Sequence, residues 1–330
     1  MLLALGALFH WLPLWRRENQ YFGVTTPAGF ERTPEGRRAL RRFRIWLWLG
    51  TAVAIMLTAA ATEAGWRPLA PAGTLVQTIT VIAAFAVVHR QLTPYAIEPQ
   101  PRTASLDPDR ERLPGGLAAA MIPVAILAAA AIYVATHWEL LPDRIPVHWG
   151  LDGRPNGWAD RTPRGVAGPL VVGFMLWGVM LGSAIAILKG SPRPSGESAD
   201  WTRRFRRANL RLLMALVWTM PLLFAGIAVR PVFEAQSITI PVWLITVAPL
   251  VAILAYTIPI IRLSRETGSG GDSTPDRCWY WGQFYYNRAD PALMVEKRFG
   301  VGYTLNFANP VSWLFLAIPV AVVFGVRWLR

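Results

Sequence analysis

The sequence predicts an all-α integral membrane protein with about eight transmembrane helices, a turn-rich outside loop and a small cytoplasmic β-containing module. Three observations carry this. Of the 330 residues, 53% are hydrophobic and only 16% are charged, where soluble chains carry about a quarter charged residues. Seven segments, 45–62, 72–88, 115–136, 166–188, 212–229, 239–261 and 311–326, are long and apolar and contain no Asp, Glu, Lys or Arg. The charges that remain cluster between them, which is the membrane pattern.

A helix needs about 20 apolar residues to cross the hydrocarbon core, and only helices or closed barrels satisfy their backbone groups there. These runs are too long and too uniformly apolar for barrel strands. Residues 1–15 form an eighth candidate, apolar but short, ending in Trp11 and Trp15 and followed by Arg16 and Arg17. A signal peptide carries its basic residues before the apolar run and small residues at a cleavage site. This order is reversed, so residues 1–15 read as an uncleaved first helix. With eight spans and the N-terminus outside, 24 of the 33 Lys and Arg residues fall in the inside segments 16–44, 89–114, 189–208 and 262–310. That asymmetry sets the orientation. Trp46, Trp48, Trp66, Trp138, Trp243, Trp313 and Trp328 fall near helix ends, where an amphipathic ring prefers to sit. Gly178 and Gly182 form a GxxxG pair in the fifth span, a weak signal for a close helix contact.

The resulting organisation is residues 1–114 as N-terminal helices with basic inside loops, and 115–188 as two spans flanking the outside loop 138–165. Two further spans follow over 189–261, then the cytoplasmic module 262–310 and the last span 311–330. A formal net charge of +13 raises nucleic-acid binding, but no basic helix is interleaved with stacking aromatics. The basic residues instead meet anionic lipid at the inside loops. The single cysteine, Cys278, excludes internal disulfides and cysteine-rich metal sites.

The loop 138–165 is rich in Pro, Gly and Trp. Pro142, Pro146 and Pro155 fix φ, Asp152-Gly153 and Asn156-Gly157 are turn dipeptides, and 145–149 has strand composition. A rigid aromatic loop suits ligand recognition. Its candidate ligand-binding residues are Trp149 and Trp158 as apolar anchors, Arg144, Asp152 and Arg154 as polar selectors, and His148 and Asn156. The module 262–310 opens with a flexible Gly/Ser stretch. Short strands are predicted at 284–286, 294–297 and 303–306, with turns at 287–291 and 300–302. It is expected to pack on the membrane face or on the 16–44 segment. Trp279, Trp281, Tyr285 and Tyr286 are its candidate partner-binding residues, set against a self-packed core as the competing reading.

LPDRIPVHWGLDGRPNGWADR resembles the signature of a bacterial membrane domain of unknown function, the one that also begins the SdpI-type immunity proteins. The matching residues are Leu141, Pro142, Ile145, Pro146, His148, Trp149, Gly153, Pro155 and Asn156. WGQFYYNRADP with KRFGVGYTLNFANP resembles a second small uncharacterised domain, and YFGVTTP resembles the N-terminal segment of such proteins. The resemblance implies a protein that protects a bacterium from a secreted toxic peptide and relays the signal by holding a repressor at the membrane. The chain departs from that layout in its extra spans before the signature and its added C-terminal module.

No HExxH, P-loop, GxSxG or Cys-based metal pattern is present. His10, His89 and His137 are scattered, the first two at expected membrane interfaces. His148 with Asp152 and Asp160 is the one constellation with metal-ligand types, and a structural or recognition role fits it better than metal or acid–base chemistry. The expectation is therefore a non-enzymatic protein of the cytoplasmic membrane, without cofactor or metal. It senses or resists an extracytoplasmic peptide or envelope component, with a cytoplasmic repressor as its partner. The alternatives are a secondary transporter, which the absence of ionisable residues within the spans disfavours, and a structural assembly protein.

Overall fold

A computed structural model describes residues 2–15, 19–65, 72–98, 112–150, 154–190, 198–236, 242–264, 274–300 and 302–328. Asp152 and most of the Gly/Ser stretch before the module lie outside these residues. The helices are α1 (Leu2–Trp11), α2 (Pro34–Glu63), α3 (Ala72–Leu92), α4 (Gly116–Thr136), α5 (Pro163–Gly190), α6 (Ser198–Ala235), α7 (Val242–Ser264) and α8 (Pro310–Trp328). Four two-stranded antiparallel hairpins complete the described elements: β1 (Gln20–Tyr21) with β2 (Val24–Thr25), β3 (Arg144–Trp149) with β4 (Pro155–Asp160), β5 (Trp279–Tyr280) with β6 (Phe284–Tyr285), and β7 (Met294–Glu296) with β8 (Tyr303–Leu305).

Six helices, α2 to α7, are long and apolar enough to cross a membrane. At most 33% of the most apolar stretch of any of them is buried within the chain. Their outward faces carry side chains such as Leu75, Ile132 and Leu254, each more than 60% exposed. In water such surfaces would drive association, whereas lipid tails satisfy them. The chain is a multi-pass membrane protein on this evidence. α1 has ten residues, about 15 Å at helical rise, against a hydrocarbon thickness of about 30 Å. α8 has 19 residues and occupies the last apolar segment.

Several helices run further than the apolar segments do. α2 starts at Pro34, where the Thr33 hydroxyl caps it by accepting from Gly36 N at 3.1 Å. Its first three turns therefore carry the arginines of the 16–44 segment. α6 starts at Ser198 and has 38 residues, so Arg203 to Arg207 are helical rather than loop. The apolar criterion marks where a helix is greasy, and helix propensity carries it on past the interface.

α2 and α3 pack closely because a Cβ on Gly50 would lie 2.4 Å from Thr80 Cγ2 and one on Gly73 would lie 2.0 Å from Thr58 Oγ1. α1 lies on this pair, with Gln77 Nε2 donating to Leu2 O and to Thr51 Oγ1, both at 2.9 Å. α6 is the hub of the second group, packed against α4, α5 and α7. The GxxxG pair is split: a Cβ on Gly182 would lie 3.2 Å from Phe315 Cζ of α8, whereas one on Gly178 meets nothing within 4 Å.

Candidate functional site

The β3–β4 hairpin joins α4 to α5 and rests on the C-terminal end of α6. Leu141 and Ile145 are buried against Val134 of α4 and Val232 of α6. Arg161 closes the base, pairing with Asp143 Oδ1 at 3.0 Å and donating to Leu141 O at 3.1 Å. At the tip, Gly150 N donates to Arg154 O at 2.9 Å. The strands are paired from Arg144↔Asp160 to Trp149↔Pro155, with a register shift around Val147. A Cβ on Gly157 would lie 2.8 Å from His148 Cβ, so the close crossing there requires glycine.

The hairpin divides the expected ligand residues into two groups. Arg144, His148, Arg154, Asn156 and Trp158 are exposed. Within this group the Arg144 guanidinium sits 6.0 Å from the Trp158 ring, and His148 Nδ1 is hydrogen-bonded to Asn156 Oδ1. Trp149 points instead into the bundle, where the Arg230 guanidinium of α6 lies 5.0 Å from its ring centroid. Arg230 Nη2 pairs with Glu234 Oε1 at 2.7 Å across one helical turn. Arg230 Nε, Arg230 Nη1 and Trp149 Nε1 are buried without a hydrogen-bond partner among the described residues. Each unsatisfied buried donor costs about 1–3 kcal/mol. Three such donors lie on Trp149 and Arg230, whose ring and guanidinium are 5.0 Å apart, and Trp149 is on the same hairpin as the exposed polar residues. Among the described residues no group of three or more His, Cys, Asp and Glu is placed to hold a metal ion.

Sequence reading missed Arg230 and Glu234. Both residues follow the apolar segment 212–229, and the available signal was the i,i+4 spacing of an Arg and a Glu at the end of an apolar run.

The module is built at the opposite end of α6. Its core comprises Trp279, Tyr285, Ala292 and Val295. Tyr285 OH donates to Asp290 Oδ2 at 2.8 Å, and burial pushes its hydroxyl pKa well above the ordinary tyrosine value. Asn306 stitches the turns together, donating to Asn287 O and Asp290 O at 2.9 Å each and accepting from Asn287 N at 3.1 Å. Arg298, with a fully buried side chain, pairs with Asp276 Oδ1 at 2.6 Å, donates to Thr274 O, and stacks 4.9 Å from the Trp279 ring centroid.

The module docks on the β1–β2 hairpin through two matching turns. Tyr21-Phe22-Gly23 and Tyr280-Trp281-Gly282 each place an aromatic residue and a glycine at positive φ, 47° and 77° in one and 51° and 64° in the other. Both are hairpin turns of the type that requires positive φ at the two central positions. The two glycines meet: a Cβ on Gly23 would lie 2.6 Å from Gly282 Cα. Around them, Phe299 stacks on Phe22 with ring centroids 5.7 Å apart and lies 4.6 Å from Phe85 of α3. His89 Nδ1 is hydrogen-bonded to Phe22 O at 2.9 Å, and Thr25 Oγ1 donates to Asp276 Oδ1 at 2.8 Å. On its other side Tyr303 packs against Phe205 and Leu210 of α6.

Of the expected partner residues, Trp279 and Tyr285 are core, while Trp281 and Tyr286 are on the surface with Tyr280 and Phe284. The exposed rings run on through Phe284 and Phe307 to Trp313 at the start of α8, at centroid spacings of 5.6 and 5.8 Å.

The fold defines a multi-pass membrane protein with the β3–β4 hairpin at one end of α6 and the docked module at the other. Residues 125–174 match the model of a domain of unknown function, DUF1648, which here spans the end of α4, the β3–β4 hairpin and the start of α5. Residues 288–313 match that of a family of unknown function, DUF5808, spanning β7, β8 and the first turn of α8. No curated protein and no solved structure matches the chain.

Proposed function

We propose that the chain is a non-enzymatic protein of the bacterial cytoplasmic membrane, similar to SdpI-type immunity proteins, that senses or resists an extracytoplasmic peptide or envelope component. The observation that carries this reading is the Trp149–Arg230 pair, with three buried donors that find no acceptor among the described residues, beside the exposed Arg144, His148, Asn156 and Trp158. A peptide's terminal or side-chain carboxylate supplies the missing acceptors, and Trp158 offers an aromatic anchor of the kind that dominates recognition energetics. Arg154 is a further polar selector on the hairpin, and Asp152, outside the described residues, is the selector that the sequence adds to it. In this reading α8 is the last span, α1 enters the bilayer ahead of α2 and covers about half of its thickness, the hairpin is outside, and the module is cytoplasmic. The excess of basic residues on the module side supports that orientation. The exposed aromatics of the module, Trp281 and Tyr286 among them, then lie at headgroup level or against a cytoplasmic regulator, a repressor in the SdpI-like case.

The test has two parts. Single cysteines at Asn156 and Ser269, in a Cys278→Ser background, are labelled on intact cells with an impermeant maleimide. Labelling at 156 but not 269 is expected, and the reverse inverts the orientation. Trp149→Ala, His148→Ala and Arg230→Gln are then compared with the parent for yield, melting temperature in detergent and tolerance of expressing cells to a membrane-active peptide toxin. Loss of tolerance per molecule at unchanged yield supports recognition. Normal tolerance per molecule in all three refutes it.

Secondary transport is the second reading, favoured by one observation, the largely buried Arg230–Glu234 pair at the end of α6.

A further inference from the structure

We infer that the furrow between α6 and α7 is a binding site for one anionic phospholipid, independent of what the hairpin recognises. On α6, residues 204, 207, 211, 215 and 218 recur at helical spacing on one face. On antiparallel α7, residues 262, 259, 255, 252 and 248 line the opposite wall. The furrow has two chemically distinct parts that meet at Arg211. Towards the module it is a basic cleft of about 420 Å³ bordered by Arg204, Arg207, Arg211 and Arg262. Towards the membrane centre it becomes an apolar groove of about 820 Å³, lined by Ala215 and Trp218 of α6, Ala248, Ala252, Ala255 and Tyr256 of α7, and, at one side, Gly115 and Ala119 at the start of α4.

This is the shape and polarity of an amphiphile. Alanines on both helices keep the walls low, so a chain can lie between the helices rather than over them. From Arg211 to Thr219 the groove runs eight residues, about 12 Å, close to the depth of one leaflet, about 15 Å. The basic end therefore falls at headgroup level when the apolar end lies in the hydrocarbon. Arg204 is held by Asp200 at 2.9 Å. Arg211 and Arg262 pair with no carboxylate among the described residues, and they approach the cleft from two different helices. Two guanidinium forks on one phosphodiester give geometric selectivity for an anionic headgroup, because a zwitterionic one brings its own cation into the cleft. An annular lipid needs only the apolar surface, whereas this furrow adds a charge partner at the correct height.

The test uses the full chain purified in dodecyl maltoside. Phosphatidylglycerol and phosphatidylcholine of matched chains are added in equal amounts, and retained lipid is counted by native mass spectrometry. One retained phosphatidylglycerol per chain is expected. In Arg211→Gln/Arg262→Gln, retention falls by about thirtyfold, from two lost basic contacts near the lipid surface. The control Arg37→Gln/Arg41→Gln, which removes two arginines lining a cleft on α2, leaves it unchanged. Arg211→Lys/Arg262→Lys restores part of the loss, and Ala255→Phe, which fills the groove with all charge intact, abolishes retention. The last variant keeps the test decisive if the glutamine pair does not fold. Equal retention of the two lipids, equal loss in the two glutamine pairs, unchanged retention in Ala255→Phe, or displacement by millimolar inorganic phosphate would each overturn the site.

Discussion

Gly282→Ala tests whether the paired turns latch the module to the rest of the chain. Two penalties act at this position. The residue has φ of 64°, and a side chain in the left-handed region costs roughly 1–2 kcal/mol. Its Cβ would also lie 2.7 Å from Gly23 Cα and 3.0 Å from both Gly23 O and His89 Cε1. That crowding comes mostly from backbone, which cannot swing away, and overpacking of this kind costs about 1–3 kcal/mol. Gly29→Ala separates the two, because Gly29 has φ of 78° with nothing within 4 Å of a Cβ. It pays the first penalty without the second. The difference between the variants, about 1–3 kcal/mol, raises the population of an undocked module by about five- to 150-fold. Cys278 is the natural reporter, a free and partly buried thiol packed on the module core. When opening and closing are fast relative to alkylation, the labelling rate follows the open population. Gly282→Ala should therefore label at least five times faster than Gly29→Ala. Equal rates in the two variants would refute the latch.

Three further outcomes are expected. Arg298→Met leaves Asp276 beside Thr25 without its buried partner, which costs about 3 kcal/mol at the low end for a broken pair because Asp276 keeps solvent contact; Cys278 alkylation should accelerate, and Arg298→Lys should recover little of it because the fork to Thr274 is lost. Gly50→Ala should lower the melting temperature in detergent through its clash with Thr80, while Gly178→Ala should leave it unchanged or raise it. Burial holds the Tyr285 hydroxyl protonated beyond its ordinary range, so its contribution is fully present below pH 10 and is lost as pH rises past that value, where the unfolded module ionises first; the alkaline part of a Cys278 labelling profile should flatten in Tyr285→Phe.

The apolar runs located every long helix because in lipid one property, continuous hydrophobicity over about 20 residues, is both necessary and visible. The helix ends were less legible. Charged residues such as Arg203 to Arg207 leave the membrane but stay helical, and nothing in hydropathy distinguishes a charged helix from a charged loop. In the module, three of four strands were found from β-branched and aromatic clusters, and β5 was hidden inside the aromatic run CWYWGQFYY. The matching turns were written in the sequence as Tyr-Phe-Gly and Tyr-Trp-Gly, 259 residues apart. A single sequence shows that each is a tight turn, but pairing them is a tertiary fact carried by two glycines with no side chain to read. At the hairpin, the aromatic, proline and charged types marked the loop 138–165, which the structure describes as the β3–β4 hairpin. The inward turn of Trp149 was decided by Arg230 on a helix more than eighty residues later, and period-2 alternation alone did not reveal it because the strand bulges at Val147.

The two ends of the molecule share α6. Its C-terminal turns hold Arg230 and Val232 against the hairpin, and its N-terminal turns hold Phe205 and Leu210 against Tyr303 of the module. At 38 residues it is about 57 Å long, enough to cross the bilayer and its headgroups with a basic extension beyond. A rigid element contacting both ends is necessary for a relay but not sufficient. A ligand shifts an equilibrium only by its differential affinity for two states. On the proposed reading the hairpin would offer such a difference if an oxygen ligand on Arg230 Nε and Nη1 weakened the charge pairing of the same guanidinium with Glu234. A second state would be an undocked module, whose docking on the β1–β2 hairpin and α3 uses the Gly23–Gly282 contact, Phe299 against Phe22 and Phe85, and the Thr25–Asp276 hydrogen bond. If the two states are coupled, reciprocity requires that undocking the module change ligand affinity at the hairpin by the same factor as ligand changes undocking. Gly282→Ala therefore serves twice. Cells carrying it should show altered toxin tolerance per molecule although the substitution lies at the far end of α6. Unchanged tolerance with a freely labelled Cys278 would mean that the two ends act independently.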